Sequence, residues 1–422
     1  MAYTFAYQGK FNIFCAPLYC FNFRLPALGL ILMIAGSMTN FSCGKKVESQ
    51  VDRSTLANCK LPAADGLTSV GIGGFPRASY RLKSTGQVTA TVIMVDFSDA
   101  VASKTPDEAY AMLSGATSTF TEMSYGRFTY TLNPKKKWYR MSKKSDEYAF
   151  SGRGHLDYMK EAVALADSEV DFSTTDILVV LSNPDAANVG NFNGRGPAWP
   201  GMPGSGIIAD GKEIINGVTS SKDLNTWGSI WLNHETTHTL GLVDLYSYDA
   251  GSGSLGDLIR YTGGYSYMGV NSFDSNSPGM LAWERWTLGW LDDSQMNCVN
   301  PHRDGLISAK ITPVHSSGGL KALVVPVAET KAVVVEYRLP SGIDKNLSKS
   351  GVLVYVIDSS LQSGRGPVQV LPKPSSSDPY FLQSTRAVGD SVEVENLRID
   401  VIAAGSTDAE VRVVPLGVIS GF

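Results

Sequence analysis

The chain has 422 residues, 43% of them hydrophobic, with 42 glycines and 20 prolines. That is enough for about two or three packed units, and the composition excludes collagen, coiled coil and extended disorder. The net charge is −4 and the one compact basic run is Lys135-Lys136-Lys137, which argues against nucleic acid as a partner.

Residues 1–43 read as an export signal. Their only charges are Lys10 and Arg24, and Arg24 precedes the apolar run Leu25–Gly36. Such a run is short for a bilayer span and right for a signal-peptide core. The next residues, Asn40-Phe41-Ser42-Cys43-Gly44, resemble the bacterial lipobox, in which the cysteine is lipidated and becomes the mature N-terminus. The resemblance implies lipid on Cys43, membrane attachment through it, and a place in the bacterial cell envelope. A simple secretory signal or an uncleaved anchor are the alternatives, and all three export the remainder. Residues 1–23 are long for the segment before such a core, as if the start were placed too early.

Residues 44–65 are small and polar, a tether or short pro-segment. Gln87–Phe97 is a near-continuous apolar strand of the kind buried on both faces. Pro106–Ser114 has helical spacing with an acidic first turn, and Phe120–Leu132 turns at Gly126 into an alternating strand. His155–Val170 is an amphipathic helix and Asp176–Leu181 a second buried strand. A Gly- and Pro-rich loop over 183–205 precedes a hairpin through Asp210-Gly211. This alternation predicts a mixed sheet backed by helices, with Ile214–Val218 as the edge that an extended peptide would extend.

A further helix, capped by Asn225 or Thr226, carries His234-Glu235-Thr-Thr-His238, followed by Gly241 and Asp244. Histidines four apart on a helix share one face and can share one metal. Zinc at a hydrolytic site needs three protein ligands and an open position. Gly241 can turn the chain so that Asp244 becomes the third ligand, with Asp249, Asp257, Asp274 and Glu284 as competing carboxylates. Glu235, directly after the first histidine, is the expected general base toward a zinc-activated water, and then the proton donor to the leaving amine. Calcium is not indicated, since there is no EF-hand loop. His155, His302 and His315 have no partner at ligand spacing.

Met268, thirty residues past His238, resembles the Met-turn that floors the zinc site of the metzincins. Tyr267 and Tyr265 are candidates for an oxyanion-binding hydroxyl. Trp283, Trp286 and Trp290 are spaced to pack a helix against the sheet. Cys59 and Cys298 are a candidate disulfide of an oxidising compartment; the alternative is that Cys59 occupies the zinc as an inhibitory thiolate. From residue 305 onward, short strands at Leu320–Val327, Ala332–Arg338, Val352–Ile357, Ser391–Val394, Ile399–Ala403 and Glu410–Val414 predict an antiparallel β-sandwich.

Several of these segments together resemble the immune inhibitor A family of secreted bacterial zinc metallopeptidases. They are Val95-Asp96-Phe97, Met123-Ser124-Tyr125-Gly126-Arg127, His234–Tyr246, Tyr267-Met268-Gly269, Pro278–Trp290, Val335-Glu336-Tyr337-Arg338 and Gly351–Asp358, spanning roughly residues 75–360. Thr237 and Val243 stand where that family commonly has Gly and Pro. The expectation is an α/β, zincin- or metzincin-like catalytic domain at 66–300 followed by the β-sandwich at 301–422. Its function would be zinc-dependent hydrolysis of peptide bonds in a protein or peptide substrate. The competing readings are an inactive surface-binding or adhesion lipoprotein with the same scaffold, and a zinc hydrolase of a non-peptide amide bond.

Overall fold

Alternation within two apolar strands builds the first layer. The computed structural model describes residues 56–63, 73–186, 189–191, 195–250, 255–269, 279–373 and 383–417, all within one folded unit, Asp52–Phe422. Cys43 and the leader lie outside the described residues, as does Asp274. In chain order the first strands are β1 (Gly86–Asp96), β2 (Phe128–Arg140), β3 (Ile177–Ser182), β4 (Ala198–Pro200), β5 (Ile207–Ala209), β6 (Lys212–Ile214) and β7 (Asn216–Thr219). Five of them form a sheet in the order β2-β1-β3-β7-β4, parallel except for β4, while β5 and β6 make the hairpin expected at Asp210-Gly211.

Successive side chains of a strand point to opposite faces. Val88, Ala90, Val92 and Met94 of β1 therefore share a cluster with Trp231, Leu232 and Leu240 of the helix Ser229–Leu240. Ile93 and Val95 lie on the other face with Tyr158, Met159 and Ala162 of the helix Arg153–Ala166. Each such fully buried aliphatic side chain contributes about 1.5–3 kcal/mol. Helices thus cover both faces, and β3 and the second half of β1 read as continuous apolar runs because neither face meets water there.

One expectation about this sheet is corrected. β7 pairs with β3 on one side and β4 on the other, and Ile214 belongs to the hairpin, so Ile214–Val218 is not a free edge. The edge is β4. Nor do Asn225 and Thr226 cap the histidine helix. They sit inside a short helix, Asp223–Trp227, and Gly228 makes the break at φ 48°, ψ −117°.

The chain continues through β8 (Met296–Cys298), β9 (Ile307–Ile311), β10 (Ala322–Pro326), β11 (Lys331–Arg338), β12 (Gly351–Asp358), β13 (Val368–Val370), β14 (Ser391–Val394), β15 (Leu397–Ala404) and β16 (Ala409–Pro415). They form two sheets, β13-β12-β11-β10-β8 and β14-β15-β16-β9. Leu323, Val333, Val335 and Val354 of the first meet Ile399, Val411 and Val413 of the second in one apolar cluster. On their opposite face Val324, Val334, Leu353 and Tyr355 join the cluster that holds Met280, Leu281, Trp283 and the first sheet's β1. The five-stranded sheet is therefore a middle layer, covered on both faces, which is why β10–β12 read as runs of Val and Leu. In the four-stranded outer sheet, β9, β15 and β16 alternate between better and less well buried positions, as in a half-solvated sheet.

Trp283 and Trp286 lie on the helix Ala282–Thr287 and Trp290 just beyond it, all three buried. Cys59 is bonded to Cys298, with Cα atoms 5.8 Å apart. Among the described residues no helix is long and apolar enough to cross a membrane.

Candidate metal centre

The site is built by the end of one helix. Ser229–Leu240 places His234 and His238 one turn apart, with ring centroids 4.9 Å from each other. The helix then stops at Gly241, whose φ of 101° suits glycine far better than a residue with a Cβ. Gly241 N–H donates to His238 O (2.9 Å) and Leu242 N–H to Thr237 O (3.2 Å), the paired bonds of a Schellman ending. This reversal brings the Leu242 carbonyl to within 2.9 Å of His238 Nδ1. With that nitrogen occupied, Nε2 faces the site, an orientation characteristic of metal-ligating histidines.

Three residues past Gly241 the chain returns Asp244 to the same point. Its Oδ1 lies 3.0 Å from His234 Nε2 and 3.2 Å from His238 Nε2. Metal–nitrogen and metal–oxygen bonds of about 2.0–2.2 Å require donors a few ångströms apart. One atom from each of His234, His238 and Asp244 lies within 4.8 Å of the others, so this group could hold a metal ion. Of the competing carboxylates, Asp249 and Asp257 are exposed, and Asp249 pairs with Arg365. Glu284 is buried elsewhere, accepting from Ser266 Oγ at 2.9 Å and Leu281 N at 2.8 Å.

Glu235 faces a cavity of about 180 Å³, which it lines together with His234, Tyr246, Trp227, Trp231 and Leu258. Its Oε2 accepts from Ala198 N–H of the edge strand β4 at 2.7 Å. Burial pushes the Glu235 carboxyl up to about 8. Asp244 goes the other way: burial works against ionisation, but the His238 and His234 rings and their hydrogen bonds hold it well below the usual carboxylate range. The two acids thus sit in different environments: the imidazoles favour the ionised form of Asp244, while burial disfavours that of Glu235, a bias that a bound cation beside it would oppose.

Met268 is fully buried beside this group. Its turn meets the site through backbone: Tyr267 O lies 3.4 Å from His234 Nδ1, and Met268 O accepts from Leu245 N–H at 2.9 Å, next to Asp244. Both tyrosines proposed from sequence for an oxyanion face away. Tyr265 Oη accepts from Ser384 N–H at 3.1 Å, and Tyr267 is buried against the Asn233 side chain. The structure instead puts two other tyrosines at the centre. Tyr246 lines the cavity with its ring 6.2 Å from that of His234, and Tyr248 hydrogen-bonds Asp244 Oδ2. Spacing offered a weak hint, since Tyr246 and Tyr248 lie two and four residues past Asp244. Ala198 and Ser363, the latter bonded to the Asp244 backbone, gave no hint at all.

No protein-family model matches the sequence, and no curated protein does. Among solved structures the likeness is distant. Metalloproteinase-II from Bacteroides fragilis aligns at 12% identity and a TM-score of 0.29 over 52% of this chain, which spans 57% of the length of that protein. OgpA from Akkermansia muciniphila aligns at 11% identity and a TM-score of 0.27, covering 69% of this chain and 92% of its own. A catalytically inactive OgpA in complex with an O-glycopeptide substrate aligns at 11% identity and 0.27, over 72% and 96% of the two chains.

Proposed function

We propose that this chain is an exported zinc endopeptidase, with a zincin-like core at about 66–300 and a β-sandwich at about 301–422. The observation that carries the reading is the convergence of His234 Nε2, His238 Nε2 and Asp244 Oδ1 beside a cavity into which Glu235 projects. Two histidines and a carboxylate also suit ferrous iron; a carboxylate directly after the first histidine is the feature of a hydrolase. His234, His238 and Asp244 would hold the zinc, which when bound supplies a Lewis acid to water and to the scissile carbonyl.

The rest of the work falls to this chain's own residues. Glu235 accepts a proton from the attacking water as its oxygen bonds to the carbonyl carbon, and returns a proton to the amine nitrogen as the C–N bond breaks. Without substrate, Ala198 N–H holds one oxygen of that carboxylate, Oε2, which leaves Oε1 for the proton. A peptide in extended form would lie beside β4, the sheet edge next to Glu235, and would displace the Ala198 N–H from that carboxylate to pair with the strand. The cavity walls of Trp227, Trp231 and Leu258 exclude water from the reacting bond and would take an apolar substrate side chain. Export rests on the apolar core Leu25–Gly36 and on Cys43 as the lipidated residue, which incorporation of a palmitate analogue into wild type but not Cys43→Ala would test.

The deciding experiment is digestion of casein or a peptide library by purified residues 44–422. Cleavage is expected to stop on chelation, return with zinc, and fall about 10²–10⁴-fold in Glu235→Gln, with zinc content unchanged. Activity that survives both treatments overturns the mechanism. A library left intact, with hydrolysis of other amides, would move the substrate class and keep the chemistry.

A further inference from the structure

We infer that the metal centre is completed from the far end of the chain. Ser363 and Gly364, on the loop between β12 and β13, brace Asp244 together with Tyr248 and preset it as the third ligand. The inference rests on the metal reading above and adds positioning residues to it.

The Asp244 side chain has two oxygens with different tasks. Oδ1 faces His234 and His238. Oδ2 accepts from the Tyr248 hydroxyl, and Ser363 Oγ lies 3.4 Å away. Ser363 Oγ also accepts from the Asp244 backbone N–H at 2.9 Å, which directs its own proton toward Asp244 Oδ2 or toward Tyr248 Oη at 3.1 Å. The neighbouring backbone closes the frame: Gly364 N–H donates to Asp244 O and Tyr248 N–H to Gly364 O, both at 3.0 Å. Gly364 has φ +68°, and a Cβ there would collide with the Tyr248 ring, so glycine permits this close approach. Arg365 then pairs with Asp249, fixing the loop to the segment that carries Tyr248.

The physical consequence is a carboxylate with little freedom to rotate. A ligand held by hydrogen bonds in its metal-binding rotamer loses less entropy on binding, and its second oxygen stays satisfied in a buried site. Because Ser363 is 119 residues away in sequence, the β12–β13 loop would be a working part of the centre.

The test measures metal affinity of the chain 44–422, using zinc alone in competition with a chromogenic chelator. Ser363→Ala is expected to weaken zinc binding about 10–100-fold, with the metal-free protein still melting in one cooperative transition only a few degrees lower, as loss of the Asp244 N–H acceptor requires. Ser363→Thr, which keeps the hydroxyl, should retain most of the affinity, and Tyr248→Phe should lose part of it. Gly364→Ala, which pushes the Tyr248 ring aside, should reproduce the loss. The visible spectrum of the cobalt(II) form reports the donor set directly and should change in Ser363→Ala. Wild-type affinity and an unaltered cobalt spectrum in Ser363→Ala overturn the inference and leave the metal reading intact. So does a loss that tracks melting of the metal-free protein and is not rescued by threonine, since that is a folding effect. Failure of the wild-type chain to bind zinc at all removes the metal reading, and this inference with it.

Discussion

His155 separates what burial does to a side chain from what chemistry asks of one. Its Nε2 meets Thr219 Oγ1 at 2.9 Å under the first sheet, and burial pushes its pKa from 6.5 down to about 4. Between those values the unfolded chain binds a proton that the folded one refuses, so stability falls as pH drops through that window. The full effect is about 3 kcal/mol; above pH 6.5 the group contributes no slope. His155→Gln keeps a hydrogen-bonding group for Thr219 and removes the titration. Chemical unfolding at pH 7, 5.5 and 4.5 should therefore show wild type losing ground to the variant as pH falls. Parallel curves would mean that the folded protein accepts the proton. Sequence could not assign this residue beyond its lack of a ligand-spaced partner. It was far more informative for His234 and His238, because helical geometry alone brings residues four apart together. The turn expected at Gly241 already favoured Asp244 among five carboxylates, whereas no local pattern encodes contacts such as Ala198 with Glu235.

At the level of elements, the helix Ala282–Thr287 is anchored by charge sealed inside the protein. Arg338 on β11 pairs with Glu336 at 3.0 Å and Asp344 at 2.7 Å, all three side chains without solvent exposure at the ion pairs. Glu336 also accepts from Ala282 N–H and Tyr355 Oη, both at 2.8 Å, so one carboxylate joins the helix start to two strands. Next to it, Glu284 receives Ser266 Oγ, whose oxygen in turn accepts from Met268 N–H at 3.0 Å. Buried pairs are weak sources of net stability, but removing one partner strands the others. Arg338→Met should therefore cost about 3–5 kcal/mol in urea unfolding, with the slope unchanged. A loss below about 1 kcal/mol would show that water already neutralises Glu336 and Asp344. Strand positions here were legible because runs rich in Val have few other uses, and most expected strands fall within a residue or two of those observed. What strand positions alone do not reveal is solvation: β10–β12 are buried on both faces, while β15 and β16 of the outer sheet are covered on one. Gly228 as a helix break at positive φ was also beyond reach, since Asn225 and Thr226 are better cap residues by type.

Across the whole molecule, function and folding divide the chain at different places. His234, His238 and Asp244 all lie before residue 300, yet one apolar cluster runs from Cys59 to Val370 and includes both Trp283 and Tyr355. β8 pairs with β10, Gln295 O accepts from Lys321 N–H at 2.7 Å, and the Cys59–Cys298 bond closes 239 residues at this same seam. Cutting at 300 would strip Met280, Leu281 and Trp283 of the sheet that covers them, leaving a contiguous apolar face of the kind that drives association. It would also remove Ser363 from Asp244. A chain ending at residue 300 is therefore expected to aggregate or to melt without a cooperative transition, while the chain 44–422 unfolds in one step. Calorimetry beside size-exclusion chromatography checks this. A soluble, monomeric fragment melting within about 5 °C of the full chain would mean that the middle sheet is a passenger on an independent domain. A fragment that folds but binds zinc more weakly would separate the two roles of the later sheets, because packing would then be dispensable and the brace on Asp244 would not.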